Sequence, residues 1–338
     1  MSNHINKMYI PKNILVTGGC GFIGSNFINY YLETYENINI INIDRMDYCA
    51  SADNIKVDNQ NIHRYKLIVG DLNNKDFMIY ILNENNIDTI VHFAAQSHVD
   101  NSFGNSLQFT HDNVLGTHTL LECCRVYGKI QRFIHISTDE VYGEVDIDHE
   151  GCSEKNLLNP TNPYAATKAS AEFIVRSYYH SFKLPIIITR GNNVYGPNQY
   201  PEKLIPKFTM QLYKNQKCTI HGKGETRRNF IHALDVAKAV DVIIRLGVIN
   251  NIYNIGTNNE YSVMDITKKL VKLIKNSENV DDYIEYVEDR HFNDFRYAIN
   301  SNNLRELGWS ESIEFEKGLE DCVNWYINKW KSSNTLDF

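Results

Sequence analysis

Residues 17–24 read Thr17-Gly18-Gly19-Cys20-Gly21-Phe22-Ile23-Gly24, between the apolar run Asn13-Ile14-Leu15-Val16 and a stretch whose apolar residues recur at helical spacing. The glycines parse as Gly19-x-Gly21-x-x-Gly24 or as Gly18-x-x-Gly21-x-x-Gly24, and both parses aim backbone amides at a helix N-terminus toward a phosphate. Gly21 would let a pyrophosphate approach the backbone, and Gly24 would let the helix lie tight on the sheet. A glycine pattern alone is weak, because an ordinary strand-turn-helix junction can carry one. The next strand decides it: Asn37-Ile-Asn-Ile-Ile-Asn-Ile-Asp44 ends on an acid about 20 residues further on, where a carboxylate can take the ribose hydroxyls of a dinucleotide.

Outward from that turn the chain keeps one rhythm. Residues 65–71 (YKLIVGD), 88–95 (DTIVHFAA), 132–138 (RFIHIST) and 184–190 (LPIIITR) are further β-branched runs separated by segments of helical periodicity. Such alternation predicts an α/β fold, a Rossmann-like doubly wound parallel sheet. After Arg190 the pattern loosens. Residues 192–208 hold three of the chain's seven prolines, and the C-terminal third mixes short strands and helices. We therefore expect a smaller mixed α/β substrate lobe over residues 191–229 and 259–335. The Rossmann domain would cover 11–190 plus returning segments around 230–258, with Asn250 to Gly256 as a strand rejoining the main sheet. Asp44 favours NAD over NADP by repelling a 2′-phosphate. Arg45 could cover such a phosphate, stack near adenine, or meet solvent. Asp71 and the Phe93-Ala94-Ala95 turn fall at carboxyl ends of strands, where open α/β sheets bind ligands.

Composition narrows the partners. The formal charge of −7 over 338 residues argues against general affinity for nucleic acid or anionic membrane. None of the seven cysteines sits in a metal-ligand spacing and the twelve histidines show no ligand pattern, so no metal is expected. Without an apolar leader or a membrane-length apolar run, a cytoplasmic location is expected.

Two groupings carry chemistry. Tyr164 and Lys168 lie four apart in a helical pattern, so phenol and ammonium can share a face, and a nearby cation would lower a phenol pKa normally near 10. By itself this spacing is common by chance in a chain with 21 tyrosines. Its place downstream of the Ser137-Thr138 strand end raises it above chance. Beside that strand end stand Asp139 and Glu140. Neighbouring carboxyls in different environments can serve as one acid and one base. A solvated acidic corner or a helix cap is the plainer reading of the pair.

Together these elements resemble an extended short-chain dehydrogenase/reductase acting on sugar nucleotides. His92–Ser102 (HFAAQSHVDNS), Ser137–Glu144 (STDEVYGE), Asn162–Glu172 (NPYAATKASAE), Asn192–Phe208 (NNVYGPNQYPEKLIPKF), His221–His232 (HGKGETRRNFIH) and Phe292–Asn300 (FNDFRYAIN) resemble the nucleoside-diphosphate-glucose 4,6-dehydratases. The fourth and last stretches look closer to UDP-glucose than to dTDP-glucose enzymes. The resemblance implies tightly bound NAD+, recycled within each turnover. Its contacts would be Gly18, Gly21, Phe22, Ile23, Gly24, Asp44, Asp71, Leu72, Phe93, Ala94, Ala95, Ser97, Thr110, Tyr164 and Lys168. Tyr164 would take the C4 hydroxyl proton with Thr138 bonded to that oxygen, Glu140 would remove the C5 proton, and Asp139 would protonate the departing C6 hydroxyl. Substrate binding would fall to Ser97, Thr138, Asn193, Lys203, Leu204, Pro206, Arg228, Asn254 and Arg290. A surface ion pair is the other reading of each arginine, and Arg227 suits it at least as well. Helices around Asn105 to Tyr127 and Asn162 to Phe182 would form a four-helix bundle in a homodimer, although their apolar residues could equally be internal core. An epimerase or a UDP-glucuronate decarboxylase would share the cofactor and the Tyr/Lys pair but has no need of the acid pair. A catalytically silent dinucleotide binder would be expected to lack the tyrosine or the lysine.

Overall fold

The structure, a computed structural model, describes residues 8–288 and 294–333. In chain order its strands are β1 (Asn13–Thr17), β2 (Asn39–Asp44), β3 (Tyr65–Val69), β4 (Thr89–His92), β5 (Arg132–Thr138), β6 (Ile186–Gly191), β7 (Asn193–Tyr195), β8 (Cys218–His221), β9 (Arg227–His232), β10 (Ile252–Ile255), β11 (Glu260–Ser262) and β12 (Ile284–Val287). Seven of them form one parallel sheet in the order β10-β6-β5-β4-β1-β2-β3. The order reverses between β1 and β4, so a crevice opens there at the carboxyl ends of the strands.

Both faces of the sheet are covered, which is why its strands read as continuous apolar runs. Ile14 and Val16 join Phe27, Ile28, Val236 and Ile243 in the core on one face, under the helices Phe22–Thr34 and Ala233–Leu246. Leu15, one residue out of phase, packs with Met78, Leu120, Cys124 and Val175 on the other, under Lys75–Glu84, Gly116–Tyr127 and Pro163–Phe182. The alternation has a period of two, and both phases are apolar.

β7, β9 and β11 form a three-stranded sheet, and β8 pairs with β12. With the helices Leu204–Tyr213, Val263–Lys275 and Phe315–Ser333 they enclose a separate core around Phe208, Leu270, Leu319 and Trp330. β10 pairs with β6 and extends the main sheet.

The helix expected around Asn105 to Tyr127 is broken into Ser106–Phe109, a wide π-helical turn Thr110–Leu115, and Gly116–Tyr127. Asn113 in that turn explains the widening. Its amide accepts from Gln96 N at 2.7 Å and donates to Gln96 O at 3.0 Å and Thr167 Oγ1 at 2.9 Å, tying down the loop after β4. No helix of the described residues is long and apolar enough to cross a membrane. All seven cysteines are free.

Gly18 and Gly128 separate two costs. Both take positive φ, +69° and +72°, but a Cβ on Gly18 would stand 2.7 Å from the Ala94 backbone, whereas one on Gly128 would meet nothing within 4 Å. Gly128→Ala should cost about 1 kcal/mol, the strain of a left-handed L-residue less the entropy removed from the unfolded chain. Gly18→Ala adds a backbone clash and should cost at least twice as much in urea unfolding. Equal costs would mean that the turn and the loop after β4 do not press on each other.

Candidate active site

The crevice at the β1/β4 switch point is walled by Gly18, Gly21, Phe22, Ile23, Gly24, Asp44, Asp71, Leu72, Phe93, Ala94, Ala95, Ser97, Tyr164 and Lys168. All of these are cofactor positions expected from the sequence. Cys20 N and Met46 N donate to the two Asp44 oxygens at 3.0 and 2.8 Å, which fixes the carboxylate while each oxygen keeps a lone pair. A Cβ on Gly24 would sit 2.5 Å from Gly18 O, so the turn closes on itself as tightly as a phosphate cradle requires. Arg45 is partly exposed to solvent, and Asp47 and Asp112 take its guanidinium at 2.6 and 2.5 Å. Any 2′-phosphate would therefore face three carboxylates. The donor set fits NAD.

Thr110 departs from expectation. It lies exposed on the π-helical turn, donates to Ser106 O at 3.4 Å, and takes no part in the wall, to which Asp112 and Gly116 contribute instead. The extra residue in the wide turn shifts which side chains face inward.

A second arm of the cleft meets the first at Ser97, Gln199, Glu202 and Lys203. Asn193, Leu204 and Arg228 line it, together with Glu140, Asn162 and Tyr297. Lys203 Nζ donates to Ser97 O at 3.1 Å across the junction. Arg228 donates to the carbonyls of Arg227, Phe295 and Asp294 and stacks over Tyr297 at 4.5 Å, which sets the direction of its charge. Arg227 pairs with Glu260 at 3.3 Å, in line with its plainer reading.

Two expected substrate residues are not in that wall. Pro206 is buried in the first turn of Leu204–Tyr213, where its missing N–H leaves no helical bond unmade. Asn254 is wholly buried: it accepts from Tyr142 Oη at 2.8 Å and donates to Cys152 O and Asn300 O, both at 2.9 Å. Its amide is used up inside the protein. Arg290 lies outside the described residues.

Thr138 closes β5 and caps the short 3-10 turn Asp139–Tyr142 by accepting from Glu140 N at 3.3 Å. It also donates to Asp139 Oδ1 at 3.3 Å. Asp139 Oδ2 accepts from Asn192 at 2.8 Å and Glu140 Oε2 from Asn162 at 3.1 Å. The solvated acidic corner is excluded, because Asp139 is buried. Burial pushes its carboxyl up to about 7, opposed by the Asn192 bond and helped by the Glu140 charge. Burial raises Glu140 too, with Asn162 and Arg228 opposing.

Tyr164 and Lys168 sit one turn apart beside this pair, buried in the helix capped by Asn162. The phenol is not lowered as the spacing alone suggests. Burial raises it far above 10, the Glu140 and Asp139 charges add to this, and the Thr138 hydroxyl opposes. Lys168 Nζ instead donates to Ile136 O at 2.7 Å, and burial brings it down to about 8 against the pull of Glu172. Asn162 was legible as an N-cap before Pro163; Asn192 and Tyr297 fall in stretches that resemble the family, but their partners are remote in the chain and not readable from it.

Asp139 makes a stability prediction with a definite sign. A carboxyl whose folded pKa is raised from 3.8 to about 7 imposes a penalty that is absent below pH ~4, grows between, and is complete above 7. Asp139→Asn removes it while keeping an acceptor for Asn192. The variant should gain up to ~4 kcal/mol at pH 8 and nothing at pH 4. A gain independent of pH in thermal unfolding would contradict the burial argument.

A family model described as GDP-mannose 4,6 dehydratase matches residues 15–322. Over 319 residues the chain is 48% identical to the trifunctional UDP-glucose 4,6-dehydratase/UDP-4-keto-6-deoxy-D-glucose 3,5-epimerase/UDP-4-keto-L-rhamnose-reductase of Arabidopsis thaliana, covering 94% of this chain and 48% of that one. It thus spans about half the length of that plant relative. To the dTDP-D-glucose 4,6-dehydratase of Homo sapiens it is 45% identical, covering 95% and 92%. The crystal structure of dTDP-glucose 4,6-dehydratase from Bacillus anthracis in complex with NAD superposes with a TM-score of 0.87 at 38% identity, covering 96% and 99%. The chain belongs to the GDP-mannose 4,6 dehydratase family, among the nucleoside-diphosphate-sugar 4,6-dehydratases of the extended short-chain dehydrogenase/reductase superfamily.

Proposed function

We propose that the protein is an NAD-dependent hydro-lyase that converts a nucleoside-diphosphate-glucose, UDP-glucose ahead of dTDP-glucose, to the 4-keto-6-deoxy sugar nucleotide. The observation that carries this is the acid pair beside Tyr164, in which Asp139 is buried against Asn192 and Thr138 while Glu140, bonded to Asn162, opens onto the cleft. Oxidation at C4 alone needs Tyr164 and Lys168. A carboxyl whose burial favours its protonated form, next to a second carboxyl, is what loss of water across C5 and C6 adds.

The glycine turn, Asp44 and the loop after β4 would hold NAD+, which would supply a reversible acceptor for the C4 hydride. Tyr164 takes the C4 hydroxyl proton, with Thr138 steadying that oxygen. The resulting 4-keto group acidifies C5, Glu140 removes its proton, and Asp139 protonates the C6 hydroxyl as it leaves as water. Glu140 then returns a proton to C5 as the hydride taken from C4 is restored at C6, so that the unsaturation is closed and no external reductant is needed. Lys203 and Arg228 face the diphosphate, and Ser97 and Asn193 face the sugar. The plant relative's name, which joins this activity to steps toward rhamnose, supports a place at the first step of deoxysugar synthesis. Free thiols throughout fit a cytoplasmic enzyme.

A homodimer is part of the proposal. Leu107 and Phe173 are 82% and 61% exposed on helical elements that pack together, and Phe103 and Leu115 are exposed on the elements beside them. Apolar side chains of that size grouped in water mark an interface.

Purified protein incubated with NAD+ and either sugar nucleotide should show a product lighter by one water in mass spectrometry, faster from UDP-glucose. Intact substrate in both reactions, with cofactor bound, would remove the assignment. Glu140→Gln should still reduce the cofactor with substrate yet lose most C5 exchange with deuterated solvent; normal exchange would take the role from Glu140. Leu107→Glu with Phe173→Glu should halve the mass measured by light scattering, and an unchanged mass would place the interface elsewhere.

A further inference from the structure

The turn Asp139–Tyr142 is four residues long, too short to hold its two carboxylates, the buried Asp139 and the cleft-facing Glu140, in place by itself. Its last residue is anchored from both sides. Tyr142 Oη donates to Asn254 Oδ1 at 2.8 Å and accepts from Arg190 Nη1 at 2.8 Å. Arg190 also lies over the Tyr142 ring at 4.7 Å. The rest of its fork grips Glu172 in a bidentate pair, Nη2 to Oε2 at 2.6 Å and Nε to Oε1 at 3.1 Å. Both side chains of that pair are nearly inaccessible, at 3% and 1%.

Glu172 stands one helical turn beyond Lys168 on the same face of Pro163–Phe182, so the chain of contacts starts on the helix of Tyr164 and Lys168 and ends on the turn of Asp139 and Glu140. Buried ion pairs add little net stability over an apolar replacement, but they fix geometry because a misplaced charge is costly. On the far side, Asn254 joins the same turn to Cys152 O and Asn300 O. The Asn159 N donates to Val141 O at 3.0 Å and completes the hold.

We propose that Tyr142, Arg190 and Glu172 form a positioning clamp that sets the Asp139-Glu140 turn at a fixed distance from Tyr164 and Lys168, so that proton removal at C5 and loss of the C6 hydroxyl depend on the Tyr142 hydroxyl while oxidation at C4 does not. This rests on the dehydratase reading above. Tyr142, Arg190 and Glu172 are absent from the walls of both arms of the cleft, and their effect runs through the residues they hold.

Tyr142→Phe keeps the ring and removes both hydroxyl bonds. Cofactor reduction by substrate in a single turnover should stay within about twofold of the parent, whereas deuterium exchange at C5 and release of water should fall roughly 10- to 100-fold, the cost of a displacement on the scale of 1 Å. Arg190→Lys keeps a charge opposite Glu172 but loses the fork, and it should show the same split; it decides the matter should the phenylalanine variant not fold. A parallel loss in both half-reactions, or no loss in either, with a native melting transition, overturns the clamp. Failure of the parent protein itself to release water would instead overturn the dehydratase reading and the clamp with it.

Discussion

Holding Asp139 out of water is the constraint on which the rest of the site depends. A carboxylate prefers solvent, and burial without full charge compensation lifts its pKa until it keeps a proton near neutrality. Asn192 and Thr138 satisfy the carboxyl oxygens, Asn162 does the same for Glu140, and the fold around them keeps the two acids distinct in environment. The same burial raises the Tyr164 phenol and lowers the Lys168 ammonium, so all four titratable groups shift toward their neutral forms. The site is poised to respond strongly to one incoming positive charge.

The architecture delivers these groups to one place by simple means. Parallel strands end together, and the reversal of order between β1 and β4 leaves a crevice over those ends. β5 carries Thr138 and the acid turn into it, the helix Pro163–Phe182 brings Tyr164 and Lys168 alongside, and β6 feeds directly through Arg190 to Asn192 and Asn193. The smaller lobe closes the second arm with Leu204 and Arg228. The Tyr164/Lys168 pair and the acid pair thus lie on adjacent segments beside one sheet, joined beneath by the Glu172–Arg190 pair.

Much of this was legible in the chain itself, wherever local pattern decides structure. The Gly18 turn, the acid at Asp44, the strand end at Thr138 and the Tyr164/Lys168 spacing all depend on neighbours within a few residues or on a repeated element length. The misses share an opposite cause. Asn254 looks like a ligand by position but its amide is consumed by Tyr142, Cys152 and Asn300, the first two about a hundred residues away in sequence. Thr110 lies off the cleft wall on the widened turn Thr110–Leu115, where Asn113 reaches Gln96 and Thr167. Pro206 shapes a helix start and does not reach the cleft. The phenol of Tyr164 went the other way from expectation, because spacing shows a nearby cation but not the burial that outweighs it. Tyr142 falls inside the Ser137–Glu144 stretch, but its role is not readable locally, because its partners come from β6 and β10.

The central claim is that one site oxidises C4, removes water across C5 and C6, and completes the cycle within a single bound substrate. Substrate deuterated at C4 tests it directly by nuclear magnetic resonance of the product. The account requires the label to be found at C6 of the 4-keto-6-deoxy sugar. Label returned to C4, as an epimerase would leave it, or lost to solvent would contradict it.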